Sequence, residues 1–213
     1  MNFKTVWYDK NDYLRQILDD KLSIVIKILN KMFKPRIKAR IRKNRQVFNK
    51  NLDNFFEWVK GAELVELNEC ITEEDPVRPE LSNEFRTGYG RKIFGVKYQG
   101  EIHAVMCFAY TNEIPKSVDD LKKMSHDAYL QSTLRDQNIG RIAIAYTVWS
   151  KKKGGGKLIV KEVYKKIKQS NHLNRLVTLS PLTDMATKFH SGNGAKLLQV
   201  NETTQNFEYK IIK

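Results

Sequence analysis

The spacing of apolar residues changes along the chain, from a helical period in the first sixty residues to a strand period after residue 90. Seven apolar positions between Asn11 and Met32 fit one buried helical stripe: Tyr13, Ile17, Leu18, Leu22, Ile24, Ile28 and Leu29. Pro35 breaks that pattern, as proline does inside a helix. A second helix is predicted from Arg36 to Lys60, ended by Gly61, with an apolar face of Phe48, Leu52, Phe55, Phe56 and Val59.

Strands and helices alternate in the rest of the chain. Two β-branched and aromatic segments, Lys92–Tyr98 and Glu101–Tyr110, flank Gln99-Gly100, which is typical of a tight hairpin turn. Ser117 is placed to cap a helix over about Val118–Gln131. The remaining predictions are strands at Arg141–Trp149, Arg175–Leu179, Lys196–Val200 and Phe207–Ile212, and helices at Lys157–Gln169 and Asp184–Ser191.

This order of elements predicts an α/β or α+β domain built on a mixed sheet. The sequence shows no internal repeat, and 213 residues are enough for one substantial core with a small appendage. We therefore expect a helical N-terminal extension over residues 1–72 and a catalytic domain over residues 73–213.

Positive charge is concentrated in one segment. The formal net charge is +14, and nine Lys or Arg with no acid lie between Lys31 and Lys50, so that removing this segment would leave +5. A solvated helix face is the simplest interpretation. An anionic partner is the alternative, whether nucleic acid, an acidic protein or an acidic membrane surface.

Composition excludes several classes of protein. A hydrophobic content of 41% with 29% charged residues is typical of a soluble globular chain. Cys70 and Cys107 are isolated, so neither a disulfide framework nor a thiolate metal site is predicted, and we expect free thiols in a reducing compartment. The apolar stretch Leu22–Leu29 is too short to span a bilayer, and no signal peptide precedes it. We expect a cytoplasmic protein without a bound metal.

A glycine-rich loop, Ser150–Lys157, lies between a predicted strand and a predicted helix. Glycines allow backbone N–H groups to approach a ligand, and the start of a helix carries partial positive charge, so this loop is a candidate anion site. It lacks both the Walker pattern and G-x-G-x-x-G. A flexible basic turn is the alternative interpretation. The loop is similar to the looser pyrophosphate loop of the GNAT superfamily, with Lys151 at its first position and Gly154 and Gly156 as its glycines.

Two further segments carry a more specific resemblance. Arg175-Leu-Val-Thr-Leu-Ser180-Pro181 and Ala186-Thr-Lys-Phe189-His190-Ser-Gly-Asn193-Gly194-Ala195 resemble the catalytic domain of malonyl-CoA decarboxylase, itself a GNAT-fold enzyme. Arg91–Thr111, Ala145–Val148, Gly156–Val163 and Asn206–Tyr209 are similar to other strands and helices of that domain. The resemblance covers roughly residues 74–213.

The resemblance implies a fold, a ligand and a site. The fold would be a GNAT-like mixed, mostly antiparallel sheet flanked by helices, and the ligand a coenzyme A thioester such as acetyl-CoA or malonyl-CoA. The implied CoA-binding residues are Thr147, Val148, Trp149, Lys151, Gly154, Gly155, Gly156, Lys157 and Asn193. Ser180 and His190 would converge on the acyl group, hold a malonyl carboxylate and allow protonation after CO₂ leaves. A histidine suits this role because its unperturbed pKa lies near 6.5.

Three departures from the family bear on substrate choice and oligomer contacts more than on CoA binding. The glycine loop has three lysines and no acid, the long helical insertion between the serine and the histidine is absent, and the family's large N-terminal helical domain is replaced. Asn193 and Gly194 are also the residue types that simply end a helix.

Three functions remain open from the sequence. Decarboxylation of a malonyl-type acyl-CoA is favoured by His190, which stands where GNAT acetyltransferases usually have a tyrosine. Transfer of an acyl group to an amine would need a base, for which Glu66 or Glu101 could serve. A nucleic-acid-binding module on an inert GNAT fold is the third possibility. The acyl group, the acceptor and the oligomeric state are not determined by the sequence.

Overall fold

The structure, a computed structural model, describes residues 35–135 and 140–211. The chain divides into two compact units, Met1–Glu57 and Trp58–Lys213. Helix α1 (Pro35–Gly61) begins in the first unit and ends in the second. Its bounds confirm the second predicted helix, whereas the helix predicted from Asn11 to Met32 lies outside the described residues. The sequence predicted the boundary between the two units after residue 72.

Eight strands and four further helices make up the described part of the second unit. The strands are β1 (Glu63–Leu67), β2 (Lys92–Tyr98), β3 (Glu101–Thr111), β4 (Ile142–Ser150), β5 (Arg175–Thr178), β6 (Ser180–Pro181), β7 (Lys196–Val200) and β8 (Thr204–Tyr209). The helices are α2 (Asn83–Thr87), α3 (Val118–Arg135), α4 (Gly155–Gln169) and α5 (Asp184–Gly192), with 3₁₀ turns at Thr72–Glu74 and Gly88–Gly90. No described helix is both long and apolar enough to cross a bilayer.

All strands belong to one sheet, in the order β1-β2-β3-β4-β5-β8-β6, with β7 paired to β8. The described pairs are antiparallel except β4–β5, which is parallel. The predicted mixed, mostly antiparallel sheet flanked by helices is therefore confirmed. A parallel pair needs a crossover connection, and α4 supplies it between β4 and β5.

The sheet is covered on both faces, because successive strand residues point to opposite sides. Ile93 belongs to the cluster on the α3 side, and its neighbour Phe94 to the cluster on the α4 side. The latter cluster includes Phe108, Ile159 and Phe207, each at most 1% exposed. Burying each such side chain contributes about 1.5–3 kcal/mol, so the two cores hold β4 and its flanking loops in place.

Local signals explain where several elements turn or begin. The β2–β3 hairpin turns at Gln99 and Gly100, which have φ of 52° and 88°, as a type I′ turn requires. Ser117 Oγ accepts the backbone N–H of Asp120 at 3.0 Å and so caps α3. Both predictions are confirmed.

Strand β1, helix α2 and the two-residue strand β6 were not predicted. β1 contains two acidic and three apolar residues, and its five residues pair along β2. Because β1 is hydrogen-bonded into the sheet, the second unit begins before the predicted boundary. Helix α2 is only five residues long, and Ser82 caps it by accepting the N–H of Phe85 at 3.3 Å.

Candidate active site

Strand β4 carries an extra residue where the sheet opens. The register with β3 steps over Tyr146, which is a β-bulge between Ala145 and Thr147. On the other side of β4, pairing with β5 ends at Ala145, whose carbonyl also accepts the N–H of Leu179 at 2.9 Å. Beyond this point the two parallel strands separate, and a cleft opens between them.

Arg78 occupies the fork of this cleft. Its Nε donates to the carbonyl of Tyr146 at 3.0 Å, and its Nη2 donates to the carbonyl of Leu179 at 3.1 Å. Buried carbonyls need hydrogen-bond donors, and strand separation removes the usual ones. The guanidinium, on a residue only 8% exposed, therefore replaces the missing strand pairing.

A buried carboxylate anchors the segment that carries Arg78. Asp75 Oδ2 lies 2.9 Å from Arg86 Nη2, with both side chains fully buried, and its Oδ1 accepts the hydroxyl of Thr147 at 2.8 Å. Its Oδ1 also accepts the N–H of Arg78 at 3.2 Å. The network fixes this segment against β4 because each buried charge has several partners.

A cavity of about 560 Å³ lies in the cleft. One side is β4 from Ala145 to Ser150, and opposite walls are formed by Pro76–Val77 and by α5. Ser180 and His190 line it, as do Lys151 and Gly156 of the glycine loop. Its volume lies in the range of small-molecule sites, roughly 300–1,000 Å³.

Backbone conformation or close packing favours glycine at each of the three glycine positions of the loop. Gly154 has φ of +86°, a left-handed conformation that disfavours other residues. A Cβ on Gly155 would lie 3.0 Å from Ser150 Cβ, and one on Gly156 would lie 3.0 Å from Phe189 Cε2. The loop therefore packs helix α4 closely against β4 and α5.

Two backbone donors are left free at the start of α4. The first helical hydrogen bond joins the N–H of Leu158 to the carbonyl of Gly154 at 3.0 Å. The N–H groups of Gly156 and Lys157 have no acceptor within the described ranges. Gly156 lines the cavity, so this helix start is a candidate anion site.

The lysines of the loop have different environments. Lys151 Nζ lies 2.7 Å from Glu74 Oε2. Lys152 Nζ lies 4.9 Å from the ring centroids of both Trp58 and Tyr98, a cation–π arrangement. Lys157 is exposed beside the free N–H groups.

Ser180 and His190 meet across the turn between β6 and α5. Ser180 Oγ lies 2.8 Å from His190 Nε2, and the two residues are 4% and 5% exposed. Thr183 caps α5 by accepting the N–H of Ala186 at 3.2 Å, which orients the helix that carries the histidine. The predicted convergence of the two side chains is present in the structure.

The imidazole is held by aromatic neighbours. The hydroxyl of Tyr209 lies 3.0 Å from His190 Nδ1. Phe207 stacks on the ring at a centroid distance of 5.2 Å, and Phe189 meets it edge-on at 5.0 Å. Ser180 Oγ also donates a hydrogen bond to Thr178 Oγ1 at 3.0 Å.

Burial determines the protonation states of His190 and Tyr209. It lowers the pKa of His190 to about 4, rather than the value near 6.5 expected from the sequence, so the imidazole is neutral at pH 7. It raises the pKa of Tyr209 well above its ordinary value, so the phenol keeps its proton. A buried phenol needs an acceptor, and among the residues that the structure describes Nδ1 of His190 is the one within hydrogen-bond distance. Tyr209 therefore donates to Nδ1, which places the ring proton on Nε2, where it is donated to Ser180 Oγ.

The structure gathers most of the sequence-predicted site residues at the cavity. Its lining includes Ser180, His190, Thr147, Val148, Trp149, Lys151 and Gly156. Gly154, Gly155 and Lys157 belong to the adjoining turn and helix start. Asn193 is not among the lining residues, and its Nδ2 donates to the carbonyl of Phe189 at 2.8 Å, ending α5.

Two residues proposed as bases for an amine acceptor lie elsewhere. Glu66 Oε1 is 2.6 Å from Lys92 Nζ on β1 and β2. The side chain of Glu101 is 81% exposed, 4.0 Å from His103 Nε2. Neither residue lines the cavity.

Four residues of the site were not predicted: Asp75, Arg78, Thr178 and Tyr209. Arg78 and Asp75 lie in a proline-containing loop, far along the chain from the carbonyls and hydroxyl they contact. Spacing in the sequence carries no signal for such contacts. Tyr209 was assigned only to the last strand, with no role at the site.

Comparisons with known proteins reveal the fold but no close relative. No family model and no curated protein matches the chain. The GphF GNAT-like decarboxylase in complex with isobutyryl-CoA is 9% identical, with a TM-score of 0.53 over 70% of this chain and all of that one. The loading GNATL domain of CurA from Lyngbya majuscula is 10% identical, with a TM-score of 0.50 over 70% and 98%.

The chain has a GNAT-like fold. The prediction of that fold is confirmed, and GNAT-like acyl-CoA enzymes are its structural neighbours. Malonyl-CoA decarboxylase from Cupriavidus metallidurans is a further match, with 19% identity and a TM-score of 0.42 over 73% of this chain and 40% of that one. The candidate site of this chain lies in the cleft between β4 and β5.

Proposed function

We propose that this chain acts on a coenzyme A thioester and removes CO₂ from a malonyl-type acyl-CoA, giving acetyl-CoA. The proposal rests on the buried hydrogen bond between Ser180 and His190. Both residues line a cavity that extends to the glycine loop. A nucleotide-tailed thioester has an anionic end and a reactive end, and the cavity offers a matching environment for each.

The glycine loop supports binding of the diphosphate. The N–H groups of Gly156 and Lys157 point out of the helix start, and exposed Lys157 adds positive charge. One neighbour of similar fold is in complex with isobutyryl-CoA, which makes CoA the first ligand to test.

The edge of β4 supports binding of the pantetheine arm. The N–H of Lys151 donates to the carbonyl of His103 on β3 at 2.9 Å. Backbone groups alternate in direction along a strand, so those of Val148 and Ser150 face the cleft. The two amides of pantetheine can pair with them as an added strand would.

The reaction breaks the bond between the carboxylate carbon and the α-carbon. The electron pair moves into the thioester as an enolate, CO₂ leaves, and one proton from solvent converts the enolate into acetyl-CoA. Ser180 Oγ accepts a hydrogen bond from His190 Nε2 and donates its own proton to Thr178 Oγ1 at 3.0 Å. Rotation of this hydroxyl from Thr178 toward the cavity would let it donate to the enolate oxygen. A preorganised donor of this kind contributes about 2.7–4 kcal/mol to a developing oxyanion.

The direction of the hydrogen bonds disfavours a covalent acyl-serine. A nucleophilic serine needs a base that takes its proton, whereas His190 Nε2 carries a proton when Tyr209 donates to Nδ1. Pro76 and Val77, next to the buried Arg78, form a wall of the cleft opposite β4. Because His190 Nε2 is not a free base, the pair favours chemistry on the thioester itself over transfer through a serine ester.

Incubation with malonyl-CoA alone, followed by chromatographic detection of acetyl-CoA, tests the proposal. We expect acetyl-CoA to accumulate without an amine, and kcat to fall about 10²–10³-fold in Ser180→Ala. Ser191→Ala, at an exposed serine on α5 next to His190, is the matched control and keeps wild-type turnover. Binding of CoA, measured by calorimetry, should survive in Ser180→Ala.

Two results would contradict the proposal. Release of free CoA without acetyl-CoA would indicate thioester hydrolysis. Release of free CoA from acetyl-CoA only when an amine is added would indicate acyl transfer.

A further inference from the structure

The two cysteines of the chain lie on different elements but meet beside helix α2. Cys107 belongs to β3 and is completely buried, whereas Cys70 follows β1 and is half-buried. Both are free thiols, and each lies within hydrogen-bond distance of the other. Neither lines the cavity that holds Ser180 and His190, so the proposed reaction does not use them.

Helix α2 holds both thiols in place. Asn83 Oδ1 accepts the backbone N–H of Cys70 at 2.9 Å and its thiol at 3.6 Å, and Asn83 Nδ2 donates to the carbonyl of Cys70 at 3.0 Å. Arg86 Nη1 donates to Cys107 Sγ at 3.3 Å. Helical residues three positions apart lie on one face, so Asn83 and Arg86 keep the two sulfurs side by side.

The two thiols differ in acidity. The hydrogen bond from Cys107 is the main effect that lowers the pKa of Cys70, with a smaller contribution from the Arg86 charge, and partial burial opposes both. Burial raises the pKa of Cys107 well above its ordinary value. The thiolate is the nucleophilic form of cysteine, so Cys70 is the reactive member of the pair and Cys107 is a protonated thiol next to it.

Cys70 is accessible through a second cavity, of about 440 Å³, in whose wall it lies. Carboxylates outnumber cations among the lining residues, which include Glu69, Glu73, Glu74 and Lys151. Their negative charge disfavours an anionic oxidant such as glutathione disulfide. Hydrogen peroxide is small and uncharged, and it therefore fits this route to the sulfur.

We propose that Cys70 and Cys107 form a peroxide-reactive pair that closes to a reversible disulfide. The Cys70 thiolate attacks one oxygen of hydrogen peroxide, so that an S–O bond forms, the O–O bond breaks and the departing hydroxide takes a proton from solvent. Cys107 Sγ then attacks the sulfenic sulfur of Cys70, and its proton leaves with the hydroxyl group as a second water. Two thiols are oxidised, one peroxide is reduced to two waters, and a dithiol reverses the change.

The disulfide ties the segment between β1 and α2 to the centre of the sheet. This segment carries Asp75, whose carboxylate accepts the hydroxyl of Thr147, and Thr147 lies opposite Cys107 in the pairing of β3 with β4. A bond between residues 70 and 107 restricts the unfolded chain and thereby stabilises the folded one. The pair acts independently of the proposed function, because its chemistry needs no CoA.

Treatment of the full chain with one equivalent of hydrogen peroxide, followed by thiol titration and peptide mapping without reductant, tests the proposal. We expect the wild type to lose both thiols, to yield peptides linked between Cys70 and Cys107, and to recover both thiols in dithiothreitol. The oxidised protein should have a Tm about 5–15 °C above that of the reduced protein.

Two variants separate the roles of the thiols. In Cys107→Ala, oxidation of Cys70 should stop at the sulfenic acid, which dimedone captures. In Cys70→Ser, Cys107 should keep its thiol, because the residue is completely buried. Neither variant should show the rise in Tm after peroxide.

Three results would overturn the proposal: a wild type that keeps both thiols, a disulfide that joins two chains, or oxidation of Cys107 in Cys70→Ser at the wild-type rate. The wild-type peptide map decides the matter even where a variant does not fold. Its outcome is also separate from that of the malonyl-CoA assay, so each proposal can fail without the other.

Discussion

Buried neutral His190 makes the stability of this protein depend on pH in a defined way. Burial lowers its pKa from 6.5 to about 4 in the folded state, so the unfolded chain binds the additional proton between these values. The histidine therefore stabilises the fold fully above pH 6.5, and this contribution is lost as the pH falls toward 4. Between pH 7 and pH 5 the loss amounts to about 2 kcal/mol.

Urea unfolding at pH 7 and pH 5 measures this contribution. Wild type and His190→Gln share every other ionisable group, so the informative quantity is the difference between these two proteins. We expect the variant to lose about 2 kcal/mol less stability between the two pH values than the wild type. His126→Gln, at a side chain that is 40% exposed, is the matched control and should keep the wild-type pH dependence.

The same reasoning predicts activity in mild acid. If His190 acts as a neutral imidazole, its titration should not reduce kcat/KM between pH 7 and pH 5. Identical pH dependence of stability in wild type and His190→Gln would refute the buried, neutral state and the hydrogen-bond direction deduced from it.

Two further substitutions test the structural basis of the cleft. Gly154→Ala should lower the free energy of unfolding by about 1–2 kcal/mol, because φ at this position is +86°. Gly192→Ala is the control and should not lower it, because an added Cβ there meets open space. Urea unfolding compares the two variants. Arg78→Met should lower the free energy of unfolding by about 2–5 kcal/mol, because the carbonyls of Tyr146 and Leu179 lose their donors. Arg78→Lys should recover only part of this free energy. An unchanged unfolding midpoint for Arg78→Met would contradict the role assigned to the guanidinium.

The sequence was sufficient for the elements whose signals are local. The Gln99-Gly100 turn and the Ser117 cap depend on a few adjacent residues, and both are present as predicted. Helix α4 begins at Gly155 rather than Lys157, because Gly155 and Gly156 join its first turn, where added Cβ atoms would lie 3.0 Å from Ser150 Cβ and Phe189 Cε2. Tertiary packing there outweighs the low helix propensity of glycine.

The meeting of Ser180 and His190 was predictable from a motif, but their chemistry was not. Their separation of ten residues places them on either side of one turn, which a resemblance can capture. The low pKa of His190 and its bond from Tyr209 depend on how β8 packs behind α5. Burial by distant elements has no signature in local spacing.

The divergence of β4 and β5 explains why the ligand should be an amide-bearing chain. Two parallel strands that separate leave backbone donors and acceptors without partners, and a folded protein satisfies nearly all such groups. Arg78 satisfies the carbonyls at the fork, but the backbone groups of Val148 and Ser150 lie beyond its reach and face the cavity. A ligand that supplies its own amides along this edge completes the sheet, and a diphosphate at its far end meets the free N–H groups of Gly156 and Lys157. In the proposed function, the same strand separation creates the cavity and also the backbone edge that would hold a pantetheine-like arm.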